Sequence, residues 1–214
     1  MIERSHTHNR EAAEAAGNRY LSNLGLSWGE LQGKRILDVG AMSAEFENAA
    51  RRRGINVISL DKGLDDGEYA PPTDSRFVVA NATKLPFKDE SFDYALAHMS
   101  VMNYIENGYE EKYLNYVEDA LREACRVLKP DGQFRFTDTL LDEQELQRGS
   151  AAAPDKKSDA YKEWRMEREH QALEEMAKRA GFRELKLVQY PDSHPEKEEY
   201  NLSHYYIAIK GDSH

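Results

Sequence analysis

The stretch ILDVGAMSAEFENAARRRGINVISLD, residues 36–61, decides the fold. Ile36, Leu37 and Val39 make a short apolar strand that runs into a turn at Gly40. AEFENAARRRG (44–54) is a helix, stopped by Gly54 in the position of a C-terminal glycine. INVISLD (55–61) is a second apolar strand that ends on the acid Asp61. A strand, a helix and a strand in so few residues make a parallel crossover unit. The turn after the first strand holds one glycine.

Moving outward, the same alternation continues. An alanine-rich helix from about Arg10 to Leu24 precedes the first strand and carries Tyr20 and Leu21 on an apolar side. After the second strand, residues 62–75 read as loop, punctuated by Gly63, Gly67 and the Pro71-Pro72 pair. RFVVANA (76–82) is a third strand, and a turn with Pro86 leads to a fourth from Phe92. GYEEKYLNYVEDALREACRVLKP (108–130) is a long amphipathic helix with apolar residues at Tyr113, Tyr116, Val117, Leu121, Ala124, Val127 and Leu128. Pro130 and Gly132 close it and open the strand GQFRFTDT (132–139). A polar stretch from Leu141 to Ser158 leads into a charged helix that ends near Ala180 and Gly181. FRELKLVQY (182–190) and HYYIAIKG (204–211) are two strands in succession, which predicts a closing antiparallel hairpin. The expected architecture is α/β: a doubly wound, seven-stranded, mostly parallel sheet covered on both faces.

Composition narrows the functional classes. The chain has 214 residues, a length that fits one domain spanning 1–214, with residues 1–30 as an N-terminal helical cap and 140–165 as a flap. Hydrophobic residues make up 40% and supply a core, while 32% are charged and solvate the surface. A formal net charge of −10 argues against nucleic acid as partner, because phosphate contacts need a basic face. The run Arg51-Arg52-Arg53 lies on a helix and reads as a solvated face. Cys125 is the single cysteine, so no internal disulfide forms, which fits a reducing cytoplasm. No apolar run is long enough to span a bilayer, and the N-terminus lacks a signal-peptide core. His6, His8, His98, His170, His194, His204 and His214 do not share the spacing of a metal site, so no metal is expected.

A parallel sheet of this kind binds ligands beyond the carboxyl ends of its strands, at the switch in strand order. The residues to read for chemistry are therefore Gly40 onward, Asp61, Asn81-Ala82, His98 onward, and Thr137-Asp138-Thr139. In these stretches the chain resembles the class I S-adenosylmethionine-dependent methyltransferases, of the type 11/25-like domain. ILDVGAMSA looks like the glycine loop of that family, and VISLD like the strand that ends in the ribose-binding acid. VANATKLPFKDESFD looks like its adenine-binding stretch, and LREACRVLKPDGQFRFTD like the helix and strand that complete the first half of its Rossmann-like sheet. The likeness covers about Lys34 to Thr139, and the terminal hairpin fits the same fold.

The resemblance implies S-adenosylmethionine as cofactor and a methyl transfer as reaction. It implies a cofactor site built from Asp38, Gly40, Ala41, Met42, Asp61, Lys62, Asn81, Ala82 and His98. Asp38 would hold the loop through its backbone amides. Gly40 supplies the turn and a close approach to the ligand. Asp61, 21 positions after Gly40, would accept hydrogen bonds from a ribose diol. The Asn81 oxygen would meet the adenine amino group, and the Ala82 N–H a ring nitrogen. Lys62 follows the acid, and His98 opens the loop that would pass under the methionine portion.

Two departures from the family stand out: Met42 and Ala44 occupy positions where it commonly has glycine, and Asn81 one where it commonly has aspartate. If position 42 requires positive φ, a side chain there costs on the order of 1 kcal/mol; if the loop turns at Gly40 alone, Met42 packs. Catalysis by positioning needs no fixed base. His98, Tyr104 and Asp138 are the candidates for one, and none is assigned. Arg19 and Tyr20 could cover the cofactor's carboxylate end or serve packing. The acidic balance and short chain favour a small-molecule acceptor. The alternative class is a non-catalytic relative with a degraded glycine loop that binds a nucleoside or serves as a regulatory subunit. A nicotinamide dehydrogenase is disfavoured because G-x-G-x-x-G does not follow the first strand.

Overall fold

The computed structural model describes residues 2–42, 44–62, 76–100, 111–137, 158–191 and 204–212. Its elements in chain order are α1 (Ile2–Asn23), β1 (Arg35–Val39), α2 (Glu45–Arg52), β2 (Asn56–Asp61), β3 (Phe77–Val79), β4 (Phe92–Ala97), α3 (Glu111–Val127), β5 (Leu128–Thr137), α4 (Asp159–Arg179), β6 (Phe182–Gln189) and β7 (His204–Lys210). The seven strands form one sheet in the order β3-β2-β1-β4-β5-β7-β6. Pairings from β3 through β5 are parallel, whereas β7 is antiparallel to both β5 and β6. The strand order reverses between β1 and β4, so the crevice of a doubly wound sheet lies at their carboxyl ends.

Side-chain alternation sorts the strands between two cores. Ile36 and Val57 pack with Leu21, Leu24, Phe46 and Ala50 under α1 and α2. Leu37 and Leu60, one pleat away or three further on, join Leu121, Ala124, Leu173 and Met176 under α3 and α4. Both faces of the sheet are therefore dry, which is why its strands read as near-continuous apolar runs.

Three boundaries differ from the sequence reading. α1 begins at Ile2 rather than near Arg10. β3 covers only Phe77–Val79, because Asn81 turns back on the chain and its Oδ1 accepts the Thr83 N–H at 3.0 Å. β5 begins at Leu128, which pairs with Phe92 before the register breaks and resumes at Tyr94 and Gln133. The extra residues bulge out through Asp131, at φ 57. At the other end of the helical layer, the Ser158 Oγ accepts the Tyr161 N–H at 3.2 Å and caps α4. Residues 158–165 of the expected flap are thus the cap and first turns of a helix, and 140–157 lie outside the described residues.

Candidate functional site

The turn after β1 is built by backbone contacts. The Gly40 and Ala41 N–H groups both donate to the Leu60 carbonyl, at 2.7 and 3.1 Å, and so tie the loop to β2. Gly40 has φ 79, and a Cβ there would stand 2.3 Å from Ser100 Cβ and 2.6 Å from its Oγ. Ser100 in turn donates its hydroxyl to the Val39 carbonyl at 2.8 Å. The chain leaving β4 therefore closes against the turn leaving β1, and only glycine leaves room for it.

The two non-glycine positions of the loop keep a glycine-like backbone. Met42 has φ 44 and Ala44 has φ 55, both left-handed. Each costs about 1 kcal/mol or slightly more. Met42 does not pack into the protein: it is 57% exposed. Its backbone N–H donates to Asp61 Oδ2 at 3.0 Å, which ties the strained residue to the acid at the end of β2.

Asp61 is flanked by apolar surface. It stands in register with Val79 on β3, and Val79 is 66% exposed. Met42 and Val79 are the two large hydrophobic residues left exposed among the described residues, and both border this one carboxylate. The chain beyond β3 runs alongside, since the Ala80 N–H donates to the Asp61 carbonyl at 2.9 Å. The oxygen of Asn81 is engaged by the Thr83 N–H and hydroxyl. The buried Ala82 N–H has no partner among the described residues. Lys62 is exposed.

On the other side of the turn, α1 reaches into the crevice. Tyr20 stacks on Phe46, with centroids 4.4 Å apart, and donates its hydroxyl to Asp38 Oδ1. Asp38 is 1% exposed and does not hold the amides of Gly40, Ala41 and Met42, a correction to the sequence reading: the first two go to Leu60 and the third to Asp61. Burial pushes its carboxyl up to about 7; the Tyr20 bond opposes the rise, and the Glu47 and Asp61 carboxylates add to it. One turn further along α1, the Asn23 amide nitrogen lies 2.7 Å from His98 Nε2. The His98 ring also leans on Tyr20, with centroids 5.4 Å apart. Burial pushes His98 down to about 4, and the Arg19 charge adds to that shift. The imidazole is therefore neutral at physiological pH. Asn23 was missed in the sequence reading, although its spacing of three from Tyr20 puts both on one helix face.

Asp38, Gly40, Ala41 and His98 thus gather at the β1–β4 switch point, and Met42, Asp61, Lys62, Asn81 and Ala82 on its β2–β3 side. Tyr104 and Asp138, candidates for a base, lie outside the described residues.

Residues 37–136 match the family described as "Methyltransferase domain". The chain is 35% identical over 113 residues to the ubiquinone/menaquinone biosynthesis C-methyltransferase of Bartonella quintana, a match covering 47% of this chain and 39% of that one. The matched stretches cover 37%, 39% and 58% of three curated relatives, so the chain matches only part of each. In fold it is similar to the putative methyltransferase of Haloferax volcanii solved with the Trm112 activator. That likeness has a TM-score of 0.55 at 16% identity over 96% of this chain and 95% of that one. It is also similar to a phosphoethanolamine N-methyltransferase of Haemonchus contortus solved with S-adenosyl-L-methionine. There the TM-score is 0.53 at 15% identity, over 93% of this chain and 53% of that one.

Proposed function

We propose, from the match of residues 37–136 to the methyltransferase-domain family, that the chain binds S-adenosylmethionine and transfers its methyl group to a small-molecule acceptor. The observation that carries this reading is the surroundings of Asp61. A carboxylate at the end of β2 lies between the two exposed hydrophobic residues Met42 and Val79. Isolated apolar exposure needs no explanation, but two such residues around one acid fit a ligand with a diol and an apolar ring.

The remaining groups fit the same ligand. The Gly40 turn lets the chain after β4 close against the loop after β1, which brings the ends of both strands to one crevice. The Ala82 N–H offers a donor to a ring nitrogen, and with the Asn81 oxygen engaged by Thr83 the adenine edge falls to this backbone group. The cofactor supplies a methyl carbon made electrophilic by its sulfonium. The protein's part is to hold the acceptor in line and exclude water. The left-handed backbone at Met42 and Ala44 favours binding over the reading of a silent relative, because the loop keeps its shape despite its side chains.

Thermal unfolding tests the proposal. S-adenosylhomocysteine should raise the melting temperature and NAD should not, and Asp61→Ala should abolish the protection. An Asp61→Ala protein protected as well as the parent would remove the ribose assignment. Transfer of labelled methyl groups onto cell-extract fractions then separates an enzyme from a binder.

A further inference from the structure

We propose that Asn23 fixes His98 as the neutral imidazole with its proton on Nδ1, and that this N–H receives the oxygen of an oxyanion methyl acceptor. The inference rests on the proposed function and specifies the chemical class of the acceptor.

The tautomer follows from the hydrogen bond. An amide NH2 has donors and no lone pair, so His98 Nε2 must accept from Asn23, and the ring proton sits on Nδ1. The Asn23 Oδ1 is buried and has no partner among the described residues. Turning the amide over would bury unsatisfied N–H donors in its place, the rarer and costlier defect. The backbone around this amide is held on two sides: the Tyr190 hydroxyl donates to the Asn23 carbonyl at 2.5 Å, and Arg135 donates to the carbonyls of Leu24 and Gly25 at 3.0 and 2.7 Å.

Nδ1 is the free end of the ring. It has no partner among the described residues. His98 directly follows β4 at the switch point, on the loop whose Ser100 closes against Gly40. Burial and the neighbouring Arg19 charge both resist protonation of the ring, so it stays neutral and is a poor proton acceptor.

A donor in this place discriminates between acceptors. A phenolate or carboxylate oxygen has lone pairs enough to accept the Nδ1–H and still direct one at the methyl carbon. An amine nitrogen has a single pair, which the same hydrogen bond would occupy. In the transfer the oxygen's pair forms the new C–O bond, the C–S pair leaves with sulfur, and no proton passes to His98. The acceptor enters already ionised. Asn23 is a positioning residue, and His98 the residue that touches substrate.

The test uses the full chain. Ring 15N spectra, with His98 assigned by its loss in His98→Gln, should show the Nδ1–H tautomer. Asn23→Asp should reverse it, since a carboxylate accepts from Nε2–H. With S-adenosylhomocysteine present, 4-nitrophenol titrated by absorbance should bind as phenolate about tenfold tighter than as phenol, the size of one charge-assisted hydrogen bond. Both variants should lose that preference. An Nε2–H tautomer in the parent, or a phenolate preference unchanged in His98→Gln, overturns the proposal. If S-adenosylhomocysteine binds while the preference is missing, only the acceptor assignment falls; if it does not bind, the cofactor reading falls and takes the acceptor with it. Should Asn23→Asp fail to fold, the parent's tautomer and His98→Gln decide.

Discussion

The Tyr20 hydroxyl, on α1, donates to the Asp38 carboxyl in the middle of β1, and among the described residues no cation meets that buried acid. Its carboxyl ionises only near pH 7, against an ordinary value of 3.8. His98 and His204 are shifted the other way by burial, each to about 4 from 6.5. At pH 5 the native protein holds one proton on Asp38 that the unfolded chain lacks, while the unfolded chain holds two on the histidines that the native protein lacks. The unfolded state binds one proton more, so these three groups make stability rise with pH from about 4 to 6.5, by about 1.4 kcal/mol per pH unit. Between 6.5 and 7 only Asp38 still titrates, and stability falls. Asp38→Asn removes the opposing proton, so its acid-side slope should roughly double and its decline above pH 6.5 should vanish. Urea midpoints from pH 4.5 to 7.5 measure both; equal slopes in parent and variant would mean that Asp38 titrates normally.

Gly40→Ala should be among the most damaging small substitutions in the chain. It adds a Cβ 2.3 Å from Ser100 Cβ and forces a left-handed alanine. The combined loss should be about 2–4 kcal/mol. Ser100→Gly in the same background removes the clash but not the dihedral, so it should recover part of the loss. Chemical denaturation of the two single variants and the double variant reads the coupling. Strict additivity would show that the loop after β4 does not press on the turn.

Met42→Gly and Ala44→Gly should separate stability from binding. Each relieves a left-handed side chain of about 1 kcal/mol, offset in part by the freer unfolded backbone of glycine. The net gain should be a few tenths of a kcal/mol or more at each site, visible as a higher urea midpoint. Met42→Gly also removes exposed apolar surface beside Asp61 and should weaken S-adenosylhomocysteine binding severalfold by calorimetry. Ala44 is buried at the head of α2, and its variant should bind as the parent does.

What was legible in the sequence was whatever depends on periodicity. Ile36 and Leu37 announce strands buried on both faces, and Gly54 and Gly181 mark helix ends; both have positive φ in the structure. The antiparallel pairing of the last two strands followed from the missing helix between them. What was not legible depends on contacts distant in sequence. Asp38 lies in a glycine-loop stretch, and nothing local says that its hydrogen bond comes from Tyr20, 18 positions earlier on another element. Asn81 sits where a strand-end ligand contact belongs, yet its oxygen is engaged two residues away by Thr83. Leu128 continues the helical period of α3, and it is a strand residue because Phe92 pairs with it. Met42 could be read as strained or as packed, and its dihedral and its exposure separated the two.

Arg135 fastens the helix that brings Tyr20 and Asn23 to the crevice. It is 8% exposed, its Nη1 donates to the Leu24 and Gly25 carbonyls at the end of α1, and its Nε donates to Gln133 Oε1 at 2.9 Å. Helix ends leave carbonyls without intrahelical partners, and here a buried guanidinium from β5 satisfies them. Arg135→Met keeps the length of the side chain and removes the donors, leaving the buried Leu24 carbonyl unpaired and the exposed Gly25 carbonyl to water, at a cost of about 1–3 kcal/mol. The loss should be local. Amide hydrogen exchange should speed up from Gly17 to Leu24 while Leu121 to Val127 of α3 stays protected, because α3 packs on the other face of the sheet. Uniformly faster exchange in both helices would mean that α1 and the sheet unfold as one unit. In that case the crevice would owe its shape to the whole domain rather than to this clasp.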